Sequence, residues 1–243
     1  MKKFNKKTIV LLAAASLLLL SSAVGSTRAA LTYYSENYSA EVTVANIGVS
    51  LVENGDVVSY KNYLKDGNWD VKDGTLFAEL LAEGDKVVLG QKYDEELKVY
   101  NSGAIDSYVR VILTKTWVDA EGNVDRTLDP AIIEIEENLG DGWLKDETAS
   151  TKERAVYYYT NVLAVDSTTS DLTKSIRINP AIQTKMVEVV DGNNVTYVYE
   201  YDGYTFNVEA EVDAVQTHNA AEAIKSAWGV DVNVVADGSL SLQ

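Results

Sequence analysis

The chain has 243 residues, with 21 Lys or Arg, 37 Asp or Glu, one His and no Cys, for a formal charge of −16. So acidic a chain repels phosphate backbones and anionic lipid, which excludes an ordinary nucleic-acid binder. Without Cys there is no disulfide framework and no thiolate metal site, and one His cannot supply a His-Glu-x-x-His zinc motif.

Met1 to Lys7 carries Lys2, Lys3, Lys6 and Lys7 with no acid, and Ile9 to Leu20 is apolar apart from Ser16. A basic start, a short apolar run and then small residues spell a secretory signal peptide over 1–29. The run falls short of the ~20 residues that cross a bilayer. Thr27 and Ala29 are the small residues at −3 and −1 of a cut between Ala29 and Ala30. Removing 29 of the 243 residues leaves 214, enough to bury a core without staples. Five bases and no acid leave with the signal, so 16 bases face 37 acids, a charge of −21. The expected location is secreted, extracellular or at the cell surface, with no membrane contact after cleavage.

Residues 30–38 read as the mature N-terminal segment and 39–243 as one folded domain. Val42 and Val44 alternate with polar residues, and Ile47, Val49 and Leu51 do so in the other phase, so a break is expected at Ala45-Asn46. Asn54-Gly55 marks a turn. Tyr60 to Gly74, rich in Lys, Asp, Gly and Asn around Trp69, reads as a surface excursion, and Leu76 to Ala82 as a short helix or a buried strand. Tyr93 to Tyr100 and Tyr108 to Val118 read as two strands joined through Asn101-Ser102-Gly103. In the second, Val109, Val111, Leu113 and Trp117 share one face, and the mixed opposite face is expected to be solvated.

Asp129-Pro130 suggests the start of a short helix. Val156-Tyr157-Tyr158-Tyr159 is strand-like. Lys185 to Val190 and Val195 to Tyr201 flank the hairpin signal Asp191-Gly192-Asn193-Asn194. Tyr204, Phe206, Val208, Ala210, Val212 and Ala214 then alternate with polar residues in a long half-buried strand. Residues 219–228 read as a helix, with Asn219 as cap and Gly229 as stop. Asp231 to Val235 is a candidate last strand. The fold class is therefore mainly β, an antiparallel sandwich with a few short helices.

The chemistry-bearing candidates are few. His218, beside the helix cap, reads as a surface or capping residue rather than a catalyst. The loop Asp119-Ala120-Glu121-Gly122-Asn123-Val124-Asp125 has calcium-like oxygen spacing but the wrong Gly position, and reads as a hairpin. No catalytic residue, metal site or cofactor is assigned. Most of the 15 Tyr, 4 Trp and 3 Phe sit at strand positions, where packing is their commoner role.

The run Gly25-Ser26-Thr27-Arg28-Ala29-Ala30-Leu31-Thr32-Tyr33-Tyr34-Ser35-Glu36 resembles the junction of proteins cut by a SipW-type signal peptidase, the TasA/camelysin family of Gram-positive bacteria. It departs from their usual pattern in having Val24-Gly25 for Gly-Gly and in the inserted Leu31-Thr32. Gly90 to Gly103, Tyr108 to Val111 and Glu209 to Gln216 are similar to inner segments of that family. The resemblance implies a jelly-roll-like sandwich of two antiparallel sheets and a matrix protein that polymerises into biofilm fibres. It also implies donor-strand addition, with Leu31, Thr32, Tyr33 and Tyr34 completing a sheet in the next subunit. Its partners would be copies of itself or related matrix subunits, and the SipW-type peptidase during export. Two alternatives stand beside this: a camelysin-type metalloendopeptidase, and a binding module for glycan or host protein using Trp69, Trp143 and loop tyrosines.

The cut is directly testable. Mass spectrometry of protein from the medium is expected to show an N-terminus at Ala30, and Ala29→Leu is expected to block processing by removing the small −1 residue.

Overall fold

The computed structural model describes residues 46–243 apart from 65, 75, 78–79, 81–86 and 192–193. The expected signal peptide, Ala29 and Ala30 at the expected cut, and Leu31 to Tyr34 lie outside the described residues, as do Val42 and Val44. The chain is mainly β, an antiparallel sandwich as expected.

The first sheet contains β1 (Gly48–Glu53), β2 (Asp56–Tyr63), β3 (Trp69–Lys72) and β5 (Leu97–Tyr100), in the order β3-β2-β1-β5. The second contains β6 (Ser107–Val118), β9 (Trp143–Lys145), β10 (Arg154–Tyr159) and β14 (Thr205–Gln216), in the order β14-β6-β10-β9, with β7 (Val124–Asp125) also on β6. Val49, Leu51, Leu97 and Val99 of the first sheet pack with Val109, Val111, Leu113, Trp143 and Tyr157 of the second. This is the core that period-two alternation dictates, since each strand turns one side chain in two toward the facing sheet. A third sheet, β4 (Tyr93–Asp94), β11 (Thr173–Ile178) and β8 (Ile133–Glu137), joins a second apolar cluster through Ile133, Ile176 and Ile178 with Trp117 and Val208. Two separate hairpins, β12 (Met186–Asp191) with β13 (Asn194–Tyr199) and β15 (Val232–Val234) with β16 (Leu240–Leu242), complete the strands.

Four expectations are corrected. Tyr60 to Gly74 is a hairpin rather than a surface excursion, with Tyr60 opposite Lys72 and Tyr63 opposite Trp69. Its polar composition is that of an exposed edge, where charge and short length discourage further pairing. Tyr93 to Tyr100 is two strands in different sheets, with Glu95 and Glu96 at the crossing. The mixed face of β6 is not solvated, because Tyr108 and Ile112 pack beneath Ile224 of α1 (Ala220–Trp228) and Val232 and Leu240 of the last hairpin. Asn219 caps α1 without a side-chain hydrogen bond, sitting in the left-handed region at φ 50. Gly229 does end the helix at φ 73, a conformation open to glycine. Asp129-Pro130 opens one 3₁₀ turn, Pro130–Ile132, with the Asp129 side chain accepting from the Ala131 N–H.

The Asn101-x-Gly103 bend ties these layers together. Asn101 is fully buried, and its Nδ2 donates to the carbonyls of Ile105 and Leu163, each at 2.9 Å, while its Oδ1 accepts from Gly103 N at 3.0 Å. A Cβ on Gly103 would stand 2.5 Å from Gly48 N, so the close approach requires glycine. Asn101→Ala strands two buried carbonyls and is expected to cost about 2–4 kcal/mol in urea unfolding. A loss under about 0.5 kcal/mol would show that water replaces the amide freely.

Candidate functional site

β14, as long as β6, lies at the edge of its sheet. Its twelve residues pair with β6 from Thr205 opposite Val118 to Gln216 opposite Ser107. Arg110 and Asp213, directly opposite, form an ion pair, with Arg110 Nε 3.0 Å from the carboxylate and the guanidinium 5.2 Å from the Trp228 ring centre. The other edge of β14 has no strand partner among the described residues, and no backbone hydrogen bond to another described segment.

The edge of β5 in the first sheet is closed. The Leu97 and Val99 N–H groups of β5 donate to the hydroxyls of Thr173 and Thr169, each at 3.0 Å. Thr169 N and Leu172 N return bonds to Val99 and Leu97 carbonyls at 2.9 and 2.7 Å. β3 is only four residues long and exposed along its whole length. The open edge of β14 instead borders a groove. A cavity of about 820 Å³ lies between it and the first sheet, walled by Leu51, Val58, Leu76, Phe77, Leu80, Val87, Phe206, Val208 and Ala210. A smaller hollow of about 150 Å³, sharing Leu51 and Ser59, continues past Val71, Val212 and Asp213. Together they follow β14 from Phe206 to Asp213, which is about 27 Å at the usual rise per residue. Phe206, Ala210 and Val212 face this space only half-buried. Asn207, Glu209 and Glu211 also border it, and Glu209 and Glu211 are exposed.

A pair of acids stands behind one end of the groove. Glu53 ends β1 at 7 % exposure and Glu95, at the sheet crossing, is 1 % exposed. The Phe77 N–H donates to Glu53 Oε1 at 2.6 Å, and Asn54 Nδ2 donates to Glu95 Oε2 at 3.3 Å. Burial, and next the charge of Glu53, push the Glu95 carboxyl from 4.5 up to about 8.

A second cavity, of about 280 Å³, is walled by Lys115, Lys145, Lys152, Glu134, Glu137 and Tyr157. Lys115 occupies a core-facing position of β6 between Leu113 and Trp117, and its Nζ donates to the Ile133 carbonyl at 2.7 Å. Burial lowers its ammonium pKa, with Lys145 adding to the effect. Glu137 is engaged by Lys145 and by the Tyr157 hydroxyl, at 2.7 and 2.6 Å, and burial raises that phenol. The sequence marked neither Lys115 nor the acid pair. The signal for Lys115 was a charged residue inside an apolar alternation, and the acid pair had no local signal at all.

His218 is exposed in the turn before α1. Asp119 accepts from Glu121 N and Asn123 N at 3.0 and 2.7 Å, so its carboxylate closes its own hairpin. Trp69 is half exposed on β3 under Lys61, whose Nζ is 5.1 Å from the ring centre. Trp143 is core, its indole N–H on the Ser170 carbonyl at 2.9 Å, and cannot serve a surface platform.

An edge strand alternates amides facing its partner with amides facing outward. Between Phe206 and Asp213, hydrogen exchange in monomeric protein is therefore expected to alternate. The outward set should exchange at least about 100-fold faster, as in local rather than global opening. Uniform protection would mean that the edge is covered.

Comparison with family models, with curated proteins and with solved structures finds no match for this chain, so the functional reading rests on its own residues.

Proposed function

We propose that this chain is a secreted structural protein of the TasA-like matrix type, which self-assembles by strand addition. In this reading, Ala30 to Glu36 of one copy lies along the open edge of β14 in the next. The observation that carries it is the β14 edge, which has no strand partner among the described residues, beside a groove lined by both apolar and polar side chains. A long sheet edge of this kind is a template for another strand unless it is blunted or covered. The added strand would supply backbone hydrogen bonds, and its alternate side chains would fill the groove.

The segment fits in length and chemistry. Seven residues span about 24 Å, close to the reach of the groove. It contains no Pro and no Gly, and Leu31 and Tyr33 fall on one face of an extended strand. The α-amino group exposed by cleavage at Ala30 suits a rim that carries Glu209 and Glu211. A head-to-tail contact that does not close on itself grows a filament. Export would then also control assembly, since the strand is released only when the signal is cut.

Among the described residues no group of three His, Asp or Glu is near enough to share a metal ion, and no other observation favours an endopeptidase. The glycan reading keeps Trp69 and loses Trp143.

Electron microscopy of the processed chain is expected to show fibres. Deleting Ala30 to Glu36 should abolish them, and so should Ala210→Trp, which fills the groove wall and leaves the β6 ladder intact. Fibres that persist in both variants would refute strand addition into this groove.

A further inference from the structure

The groove is bordered by a titratable element that no step of assembly requires. Glu53 and Glu95 are both buried and lie where β1 meets β5, with Glu53 opposite Leu97 and Glu95 two residues before it. Glu95 Oε1 has no partner donor from the protein. Two carboxylates without a cation between them cannot both hold charge cheaply out of water. Among the described residues no Lys or Arg lies within ion-pair distance of either. Lys98 of β5 pairs with Asp171 and Glu96 instead, and Lys92 pairs with Glu136. Lys174 of β11 offers Glu95 only its backbone carbonyl, at 3.0 Å from the Glu95 N–H. The adjoining Asp94 and Glu96, and Asp56 opposite Glu53 on β2, are acids too.

The pair is also mechanically placed. Glu53 holds the Phe77 N–H, and Phe77 lines the groove beside Leu76 and meets Phe206 of β14 edge to face at 6.4 Å. Phe77 itself sits at φ 63, a left-handed conformation that a bulky residue keeps only when its surroundings impose it. Asn54, at φ 49, binds both sides of the crossing, through Nδ2 to Glu95 and through Oδ1 from the Glu96 N–H at 2.9 Å.

We propose that the proton held by Glu95 latches Phe77 into the groove wall through Glu53, so that losing this proton frees Phe77 and opens that end of the groove. The inference rests on the groove being the site of assembly, and adds its regulation. The direction follows from linkage. Glu95 holds its proton up to about pH 8 when latched, and only to about its ordinary value of 4.5 when the pair is opened to water. The latch is therefore intact below about 4.5, weakens as pH rises, and is lost as pH passes about 8. Opening increases about tenfold per pH unit inside that window.

The test is amide exchange at Phe77 in the processed chain, kept monomeric, with intrinsic exchange rates divided out. Between pH 5.5 and 7.5 its protection is expected to fall about 100-fold in the wild type, and to stay flat in Glu95→Gln, which holds a neutral donor without titrating. Equal slopes in the two proteins, or a flat wild type, would overturn the latch. Should Glu95→Gln fail to fold, the wild type alone decides. A slope at Phe77 with none at core amides such as Val111 supports the latch, and a slope shared by both overturns it. Because this readout is on monomers, a failed latch leaves the fibre result untouched. Fibres that survive deletion of Ala30 to Glu36 would remove the assembly reading while the slope remained.

Discussion

Twelve consecutive residue pairs bind β14 to β6, and the rest of the molecule depends on how the two edges and two faces of that ladder are covered. One edge of the sheet runs on through β10 and β9, and the outer face near Tyr108 and Ile112 is covered by α1 and the last hairpin. The inner face meets the first sheet across Val109, Val111 and Leu113. What remains without a strand partner among the described residues is the second edge of β14, with Phe206, Ala210 and Val212 half-covered beneath it. The Arg110–Asp213 pair and the β6 ladder hold that edge in place whether or not anything adds to it.

Magnitudes decide what must supply the affinity of an added strand. Seven residues of backbone pairing contribute on the order of 1 kcal/mol net per hydrogen bond. Association costs an estimated 4–15 kcal/mol in lost freedom. Backbone pairing alone therefore comes close to breaking even, and side chains seated in the groove must tip the balance. Fully burying a large apolar side chain is worth about 1.5–3 kcal/mol. Leu31 and Tyr33 on one side, with the half-covered Phe206 and Val212 on the other, are enough to do so. The same reasoning explains why β5 and β3 are poor acceptors. Thr169 and Thr173 already satisfy the N–H groups of β5, and β3 is too short and too exposed to offer a groove.

Much of the fold is legible in the residues. The alternation from Tyr204 to Ala214 gives β14, that of Val109, Val111, Leu113 and Trp117 gives the inner face of β6, and Asp191 to Asn194 marks a hairpin. These patterns are read easily because one face of each meets a core. Where a strand is exposed, as in β3, or crosses between sheets, as at Glu95, local pattern carries little information. The covered outer face of β6 escapes notice for a related reason: Tyr108 and Ile112 are buried by α1, more than a hundred residues away in sequence. The groove is legible only in part. The half-buried face of β14 is plain in the sequence, but whether its edge is paired is a question of topology. The Glu53–Glu95 pair belongs wholly to tertiary structure, since nothing in either residue's neighbours announces that the two will meet.

The absence of Cys from the natural chain makes one measurement unusually direct. Processed protein carrying Tyr33→Cys is mixed with processed protein carrying Ala210→Cys under mild oxidation, and the products are separated without reductant. Strand addition predicts a disulfide-linked heterodimer in high yield, reduced by an excess of unmodified peptide corresponding to Ala30–Glu36. A mixture that yields only monomers and random homodimers, while the doubly substituted chain closes on itself at high dilution, would contradict it. That outcome would show that the segment pairs within its own domain.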